Sequence, residues 1–241
     1  MRHRRSRHDL CARLLAHEGG RYSAALGIDV ASGRSSELFK WLLAALLYGA
    51  RISQEIAART YREFARARVL SPRAVLDAGW DGLVRLLDRG GYVRYDYKTA
   101  TKLLLVCESL TRDYGGDLGA LHAAARDARD LERRVMALGQ GIGETTAGIF
   151  LRELRGVWSK ADPAVSPLAL AGARSLGLVS RRLRDGRTAI RRLQAVWRAA
   201  PVRGFCFADF EAALVRRGIF LRRSRARADD AHRTAVRADD G

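Results

Sequence analysis

Between two helical patterns the chain reads Met136-Ala-Leu-Gly-Gln-Gly141-Ile142-Gly143-Glu144-Thr145-Thr146. Glycines at 141 and 143 supply the dihedrals of a tight turn and leave no side chain over the backbone, so the N–H groups opening the next helix are bare. Amides at the positive end of a helix dipole bind phosphate. The chemistry offered here is anion capture, with Gly141, Ile142, Gly143, Glu144, Thr145 and Thr146 as the candidate contacts.

The charge balance points to the same kind of partner. The 241 residues carry 44 Lys and Arg against 26 Asp and Glu, a net charge of +18 with a pI near 11.0. A field this strong exceeds what solubility needs and fits a polyanion. It is also lopsided: residues 171–241 hold 17 basic and 7 acidic side chains, and so +10 of the +18. Charge alone does not separate DNA from RNA.

Other classes are harder to support. The longest apolar run, Trp41 to Tyr48, falls well short of the ~18 residues of a membrane span. No signal-peptide layout opens the sequence, so a cytoplasmic, nucleoid-associated protein without a membrane partner is expected. Cys11, Cys107 and Cys206 are far apart and form no Cys-x-x-Cys or Cys/His cluster, which argues against zinc, an iron–sulfur cluster or a disulfide framework. No histidine pair stands at metal-ligand spacing, and no metal or cofactor is expected.

The elements that must position the glycine corner read as helices almost throughout. Apolar residues recur at three and four spacings in Leu38-Trp41-Leu42-Ala45-Leu46, Ile56-Thr60-Phe64, Leu83-Leu86-Leu87 and Leu103-Val106-Leu110. Caps precede several of them, at Ser35/Ser36 with Glu37, at Ser71-Pro72 and at Ser166-Pro167. Stops are expected at Gly49, Gly79, Gly90-Gly91, Gly115-Gly116 and Gly139. Two further amphipathic helices are predicted over Thr188 to Ala200 and Phe207 to Arg217. Residues 1–8 and 222–241 hold too few apolar groups to offset the entropy of ordering and are expected as basic tails, the second disordered. With 48% hydrophobic residues the remainder can bury a core in one domain or two lobes.

Taken in order, these segments resemble a known family. The Ser35 to Tyr48 helix, Leu76-Asp-Ala-Gly-Trp-Asp-Gly-Leu83, Gly91-Tyr-Val-Arg-Tyr-Asp-Tyr-Lys98-Thr-Ala100, Gly141-Ile-Gly-Glu-Thr-Thr-Ala147, and Ala164-Val165-Ser166-Pro167 running into Leu176-Gly177-Leu178 are similar to the helix-hairpin-helix DNA glycosylase superfamily, of the endonuclease III type. The resemblance implies an all-α, two-lobed fold with a cleft between the lobes. It places a central lobe at 35–158, with the hairpin unit near 130–155, and a second lobe at 9–34 and 159–221. The implied partner is double-stranded DNA carrying a damaged base, flipped out of the stack because chemistry at the glycosidic bond cannot reach a stacked nucleotide. A monomer is expected, with a monovalent cation on the hairpin carbonyls implied by the family. The family hairpin usually reads Leu-Pro-Gly-Val-Gly; here the turn glycines are kept and the leading Leu-Pro is not.

For catalysis the family uses an aspartate at the mouth of the cleft, which stabilises positive charge on the sugar and helps activate a nucleophile. Aligned backward from Leu176-Gly177-Leu178, that position is Ser166, which carries no charge and reads as a helix N-cap. Counted forward from the hairpin, it falls beside Asp162 in Lys160-Ala-Asp-Pro163, the candidate catalytic residue. Asp-Pro as a simple turn initiator is the alternative. The lysine of lyase-type members is Thr145 here, so Schiff-base chemistry is not expected. Arg51 stands where family members fill the gap left by the flipped base, with a plain surface arginine as the alternative. Arg181 and Arg182, with Arg184 and the Thr188 to Ala200 helix, are expected to clamp DNA in place of the missing four-cysteine iron–sulfur motif. Lys160 reads as a loop lysine on a phosphate. The run Tyr92-Val-Arg94-Tyr95-Asp96-Tyr97 reads either as base-pocket lining or as core and cap.

Two functions follow. The first is a monofunctional glycosylase in which Asp162 supports hydrolysis of the N-glycosidic bond of a damaged base. The second is a noncatalytic helix-hairpin-helix DNA-binding protein that has lost this chemistry.

Overall fold

A computed structural model describes the backbone of residues 2–239 and the side chains of residues 7–229. Among these residues the regular structure is helical, with no strand, as the periodicity predicts. In chain order the helices are α1 (Arg2–Glu18), α2 (Tyr22–Ala25), α3 (Ser35–Tyr48), α4 (Gln54–Arg66), α5 (Pro72–Gly90), α6 (Asp96–Tyr114), α7 (Leu118–Ala124), α8 (Ala128–Ala137), α9 (Glu144–Arg152), α10 (Pro167–Ser175), α11 (Gly186–Ala199) and α12 (Phe207–Asp239). Contacts group them into two units, Tyr22–Pro163 and Met1–Arg21 with Ala164–Gly241. The boundaries thus fall at 21/22 and 163/164, where the sequence suggested 34/35 and 158/159.

The central unit is built around α3. Its residues Leu38, Trp41, Leu42, Leu43 and Leu47 are almost fully buried, because α3 packs against α4 on one side and α9 on another. Two large polar side chains of this core are paired through backbone carbonyls, as burial demands. The Trp41 indole donates to the Phe150 carbonyl at 3.0 Å, and the Tyr92 hydroxyl donates to the Leu47 carbonyl at 2.8 Å. Tyr92 is therefore a core residue. Burial pushes its hydroxyl far above the ordinary tyrosine range.

Several helix ends follow the local chemistry read from the sequence. The Ser71 and Ser166 hydroxyls accept the Ala74 and Ala169 N–H groups at 3.1 and 3.2 Å, each followed by a proline at the first helical position. Gly91 and Gly115 close α5 and α6 in the left-handed conformation. At α3, neither Ser35 nor Ser36 is the cap. Arg34 holds that position without a side-chain bond, and Glu37 accepts the Asp29 N–H at 2.9 Å instead. Gly79 kinks α5 and does not end it: at φ 64° and ψ 175° it re-aims the axis, and the helix resumes.

The tail expectation is corrected for residues with a described backbone. The segment from Arg222 continues α12 to Asp239, and residues 2–8 belong to α1. Arginine and alanine are good helix formers, and neither glycine nor proline interrupts the chain between Gly218 and Gly241. Met1, Asp240 and Gly241 lie outside the described residues.

The second unit is centred on α12, which packs along α10 and α1. Trp197 of α11 stacks on Phe210 at 5.4 Å between ring centroids. Asp209 ties the unit's two chain segments together by accepting the Arg21 N–H at 2.9 Å, the Arg21 Nε–H at 3.2 Å and the Cys206 N–H at 2.8 Å. Burial raises the Asp209 pKa, but these donors and the Arg21 charge outweigh it and hold the carboxyl below its ordinary value.

Candidate nucleic-acid interface

The hairpin is α8, a six-residue turn and α9, and its first arm is fixed by carboxylates. Asp127 caps α8 by accepting the Asp130 N–H at 2.8 Å, and Asp130 reaches back to the Arg126 N–H at 3.0 Å. Asp130 also accepts Arg133 Nη2 and Arg134 Nε, each at 3.1 Å, while Arg134 Nη1 donates to the Tyr114 hydroxyl of α6 at 3.1 Å. The Arg126 amide first, then Arg134, hold the Asp130 carboxyl below its ordinary value.

An expected pH dependence follows from that sign. A carboxyl whose pKa is lower in the folded state stabilises fully above its unfolded value, and the contribution fades as pH falls through the folded one. Stability should decline once pH drops below about 3.8, the ordinary aspartate value. Thermal melts across this range should show a shallower acid decline for Asp130→Asn than for wild type. Identical slopes would remove Asp130 from the account.

At the turn, Ile142 N–H donates to the Gly139 carbonyl at 3.2 Å, and Gly141 takes φ 84°. Gly139 lies so close to α6 that an added Cβ would sit 2.8 Å from Val106 Cγ2. Ile142 is 5% exposed and plugs the hairpin into the core. Gly143 is the N-cap of α9, at φ −98° and ψ −179°, with no side-chain bond to the first-turn amides. The first backbone bond back to Gly143 comes from Ala147 N–H, at 3.1 Å. Gly141, Gly143, Glu144 and Thr145 are exposed, and a Cβ on Gly143 would meet nothing within 4 Å. Of the six expected contacts, Ile142 and Thr146 are buried through their side chains, whereas the other four present an open corner.

One cationic group bears on this corner. Lys102 of α6 lies against the turn, since a Cβ on Gly141 would sit 3.1 Å from its Cε and 3.4 Å from its Nζ. Burial lowers the Lys102 pKa. The sequence reading missed Lys102, because nothing in its own helix marks it as a neighbour of residue 141. Arg51 is exposed in the connection from α3 to α4. That connection touches α9 through Gly49, whose Cβ would overlap the Thr146 hydroxyl at 2.1 Å.

The acid candidates are engaged elsewhere. Asp162 has a half-exposed side chain, and its Oδ1 accepts Arg155 Nη1 at 2.6 Å; the Arg155 side chain is 6% exposed and also donates to the Pro163 carbonyl. Ser166 caps α10, as the proline after it suggests. Lys160, expected on a phosphate, instead donates to the His122, Ala123 and Ala125 carbonyls at 2.8, 3.3 and 2.5 Å, closing the C-terminal end of α7. A lysine satisfies orphan helix carbonyls in this way. Arg181 and Arg182 are exposed in the 180–185 turn of the second unit.

Within the aromatic run, Tyr92 is core, while Tyr97 is 60% exposed and pairs with Trp80 at 5.2 Å between centroids. Among the described residues no group of three or more His, Cys, Asp or Glu could hold a metal ion, and no helix is long and apolar enough to cross a membrane. No protein-family model matches this chain, and no curated protein matches it in sequence.

Proposed function

We propose that this chain binds double-stranded DNA through its helix-hairpin-helix segment, as the resemblance to endonuclease III-type glycosylases suggests. The observation that carries the reading is the uncapped start of α9, exposed at Gly143, with the Lys102 ammonium against the adjoining turn. Bare amides, a helix dipole and a neighbouring cation act together on a phosphate. The net charge of +18 supplies the wider attraction.

Of the two readings, the binding protein without glycosylase chemistry is better supported. Stabilising a sugar cation needs an uncompensated carboxylate. The Asp162 charge is already matched by Arg155 at 2.6 Å, and Ser166 has none. The enzymatic reading draws on the half-exposed Asp162 side chain, which Arg155 fixes in place.

The test pairs binding with chemistry. Duplexes each carrying one damaged base are assayed for abasic sites with wild type and Asp162→Asn side by side. The binding reading expects duplex affinity that falls steeply with salt in both proteins, and no base release. Release by wild type that Asp162→Asn abolishes, at equal or higher DNA affinity, would establish the glycosylase instead. A duplex affinity that does not respond to changes at the hairpin would overturn both.

A further inference from the structure

The second unit contains a groove of about 880 Å³ that the hairpin reading does not use. Its walls are α10, the 180–185 turn and α12. Five arginines line it, Arg174, Arg181, Arg184, Arg222 and Arg225, and no acidic residue does. Pro167, Leu168 and Leu221 supply an apolar strip between them.

The fold brings these cations together by unusual helix proximity. An added Cβ on Gly172 of α10 would lie 2.2 Å from the Leu214 carbonyl oxygen, and one on Gly218 of α12 would lie 2.0 Å from that of Leu168. The two backbones touch where the glycines face them, and the arginines beyond the crossing converge. Arg174 also donates through Nη2 to the Leu183 carbonyl, which fixes the turn carrying Arg181 and Arg184 against α10. Its Nε is buried without a hydrogen-bond partner. The nearest acid in sequence, Asp185, accepts the Arg187 and Thr188 amides at 3.2 and 2.6 Å as the cap of α11.

Like charges gathered in one concavity repel until an anion enters. Guanidinium forks match phosphate oxygens bidentately, and several placed side by side select a ligand with several phosphates. We propose that this groove is a second phosphate-binding site, which takes consecutive phosphodiesters of a DNA backbone with the apolar strip against the sugars. The choice of DNA rests on the function proposed above; the demand for clustered phosphates does not.

The experiment uses the full chain and two probes, a short labelled duplex and inorganic tripolyphosphate, titrated across a salt series. The variants are Arg222→Gln with Arg225→Gln, and Arg181→Gln with Arg184→Gln. Arg13→Gln with Arg203→Gln is the control, which removes the same charge from exposed positions of α1 and of the 200–206 connection, outside the groove. Each groove pair should weaken duplex binding roughly tenfold or more and lower the salt slope by about 2, while the control keeps the wild-type slope. Groove variants that match the control overturn the site. Unchanged duplex binding with lost tripolyphosphate binding overturns the DNA assignment and leaves a site for a free polyphosphate. Should the groove variants lose duplex binding while a hairpin variant retains it, the groove stands and the hairpin reading fails.

Discussion

Gly143→Asp should lower duplex affinity at least tenfold while leaving the melting temperature unchanged or slightly raised. The two effects share one cause. Gly143 occupies the N-cap of α9 with ordinary dihedrals and open space where a Cβ would go, so an aspartate fits without strain. Its carboxylate would accept the first-turn amides, a few tenths of a kcal/mol better than glycine at an N-cap, and its charge would complement the helix dipole. The same oxygen atoms would occupy the phosphate position and repel whatever approaches. A tenfold loss corresponds to about 1.4 kcal/mol, which one displaced charge-assisted contact supplies. Gly143→Ala, which adds volume but no acceptor, should fall between the two proteins in affinity. Fluorescence anisotropy with a labelled duplex, paired with thermal melts, reads both quantities. Wild-type affinity in Gly143→Asp would show that DNA is not held at this corner.

Gly218→Ala should destabilise the chain by about 2 kcal/mol or more, against the usual trend for alanine in a helix. Alanine ordinarily gains up to about 1 kcal/mol over glycine at an interior helix position. Here the new methyl would meet the Leu168 carbonyl oxygen at 2.0 Å, a backbone atom that cannot swing aside as a side chain can. The crossing of α10 and α12 must open, and packing along both helices is lost with it. Gly172→Ala, at 2.2 Å from the Leu214 carbonyl oxygen, should behave alike. Gly148→Ala on α9 is the matched comparison, because nothing lies within 4 Å of its added Cβ. Urea denaturation separates the cases by sign: Gly148→Ala is neutral or stabilising, whereas Gly172→Ala and Gly218→Ala lower the midpoint. A neutral Gly218→Ala would mean that the two helices do not touch at this point.

What could be read from the sequence was the part that local chemistry decides. Ser71-Pro72 and Ser166-Pro167 open helices because hydroxyl and proline satisfy the first turn by themselves, and Gly91 and Gly115 close helices through their own dihedrals. The glycine corner was legible in part for the same reason: Gly141 sets its left-handed turn through its own dihedrals, whereas Gly143 is extended backbone that any residue adopts. Pairings across space were not legible. Arg155 meets Asp162 only because the intervening loop turns back, and Lys160 reaches the end of α7 from across the unit. Neither partnership leaves a periodic trace. Lys102 lies beside Gly141 because α6 packs under the hairpin, a contact that neither segment announces. The distal part of α12 carries few apolar residues, and the helix propensity of its alanines and arginines sustains the helix without them.

The stretch just past α9 also has a bearing on how the polypeptide is threaded. Glu153, fully buried, accepts the Tyr22 and Ser23 amides at 2.7 and 2.9 Å, and Arg155 grips Asp162 and the Pro163 carbonyl. The first and last residues of the central unit are thus pinned to anchors two positions apart. In chain order, everything from Tyr22 to Pro163 is an insertion between the two segments of the second unit. Because bringing together the ends of a long stretch costs entropy that grows with its length, an insertion whose ends are anchored from within spares the host segments that expense.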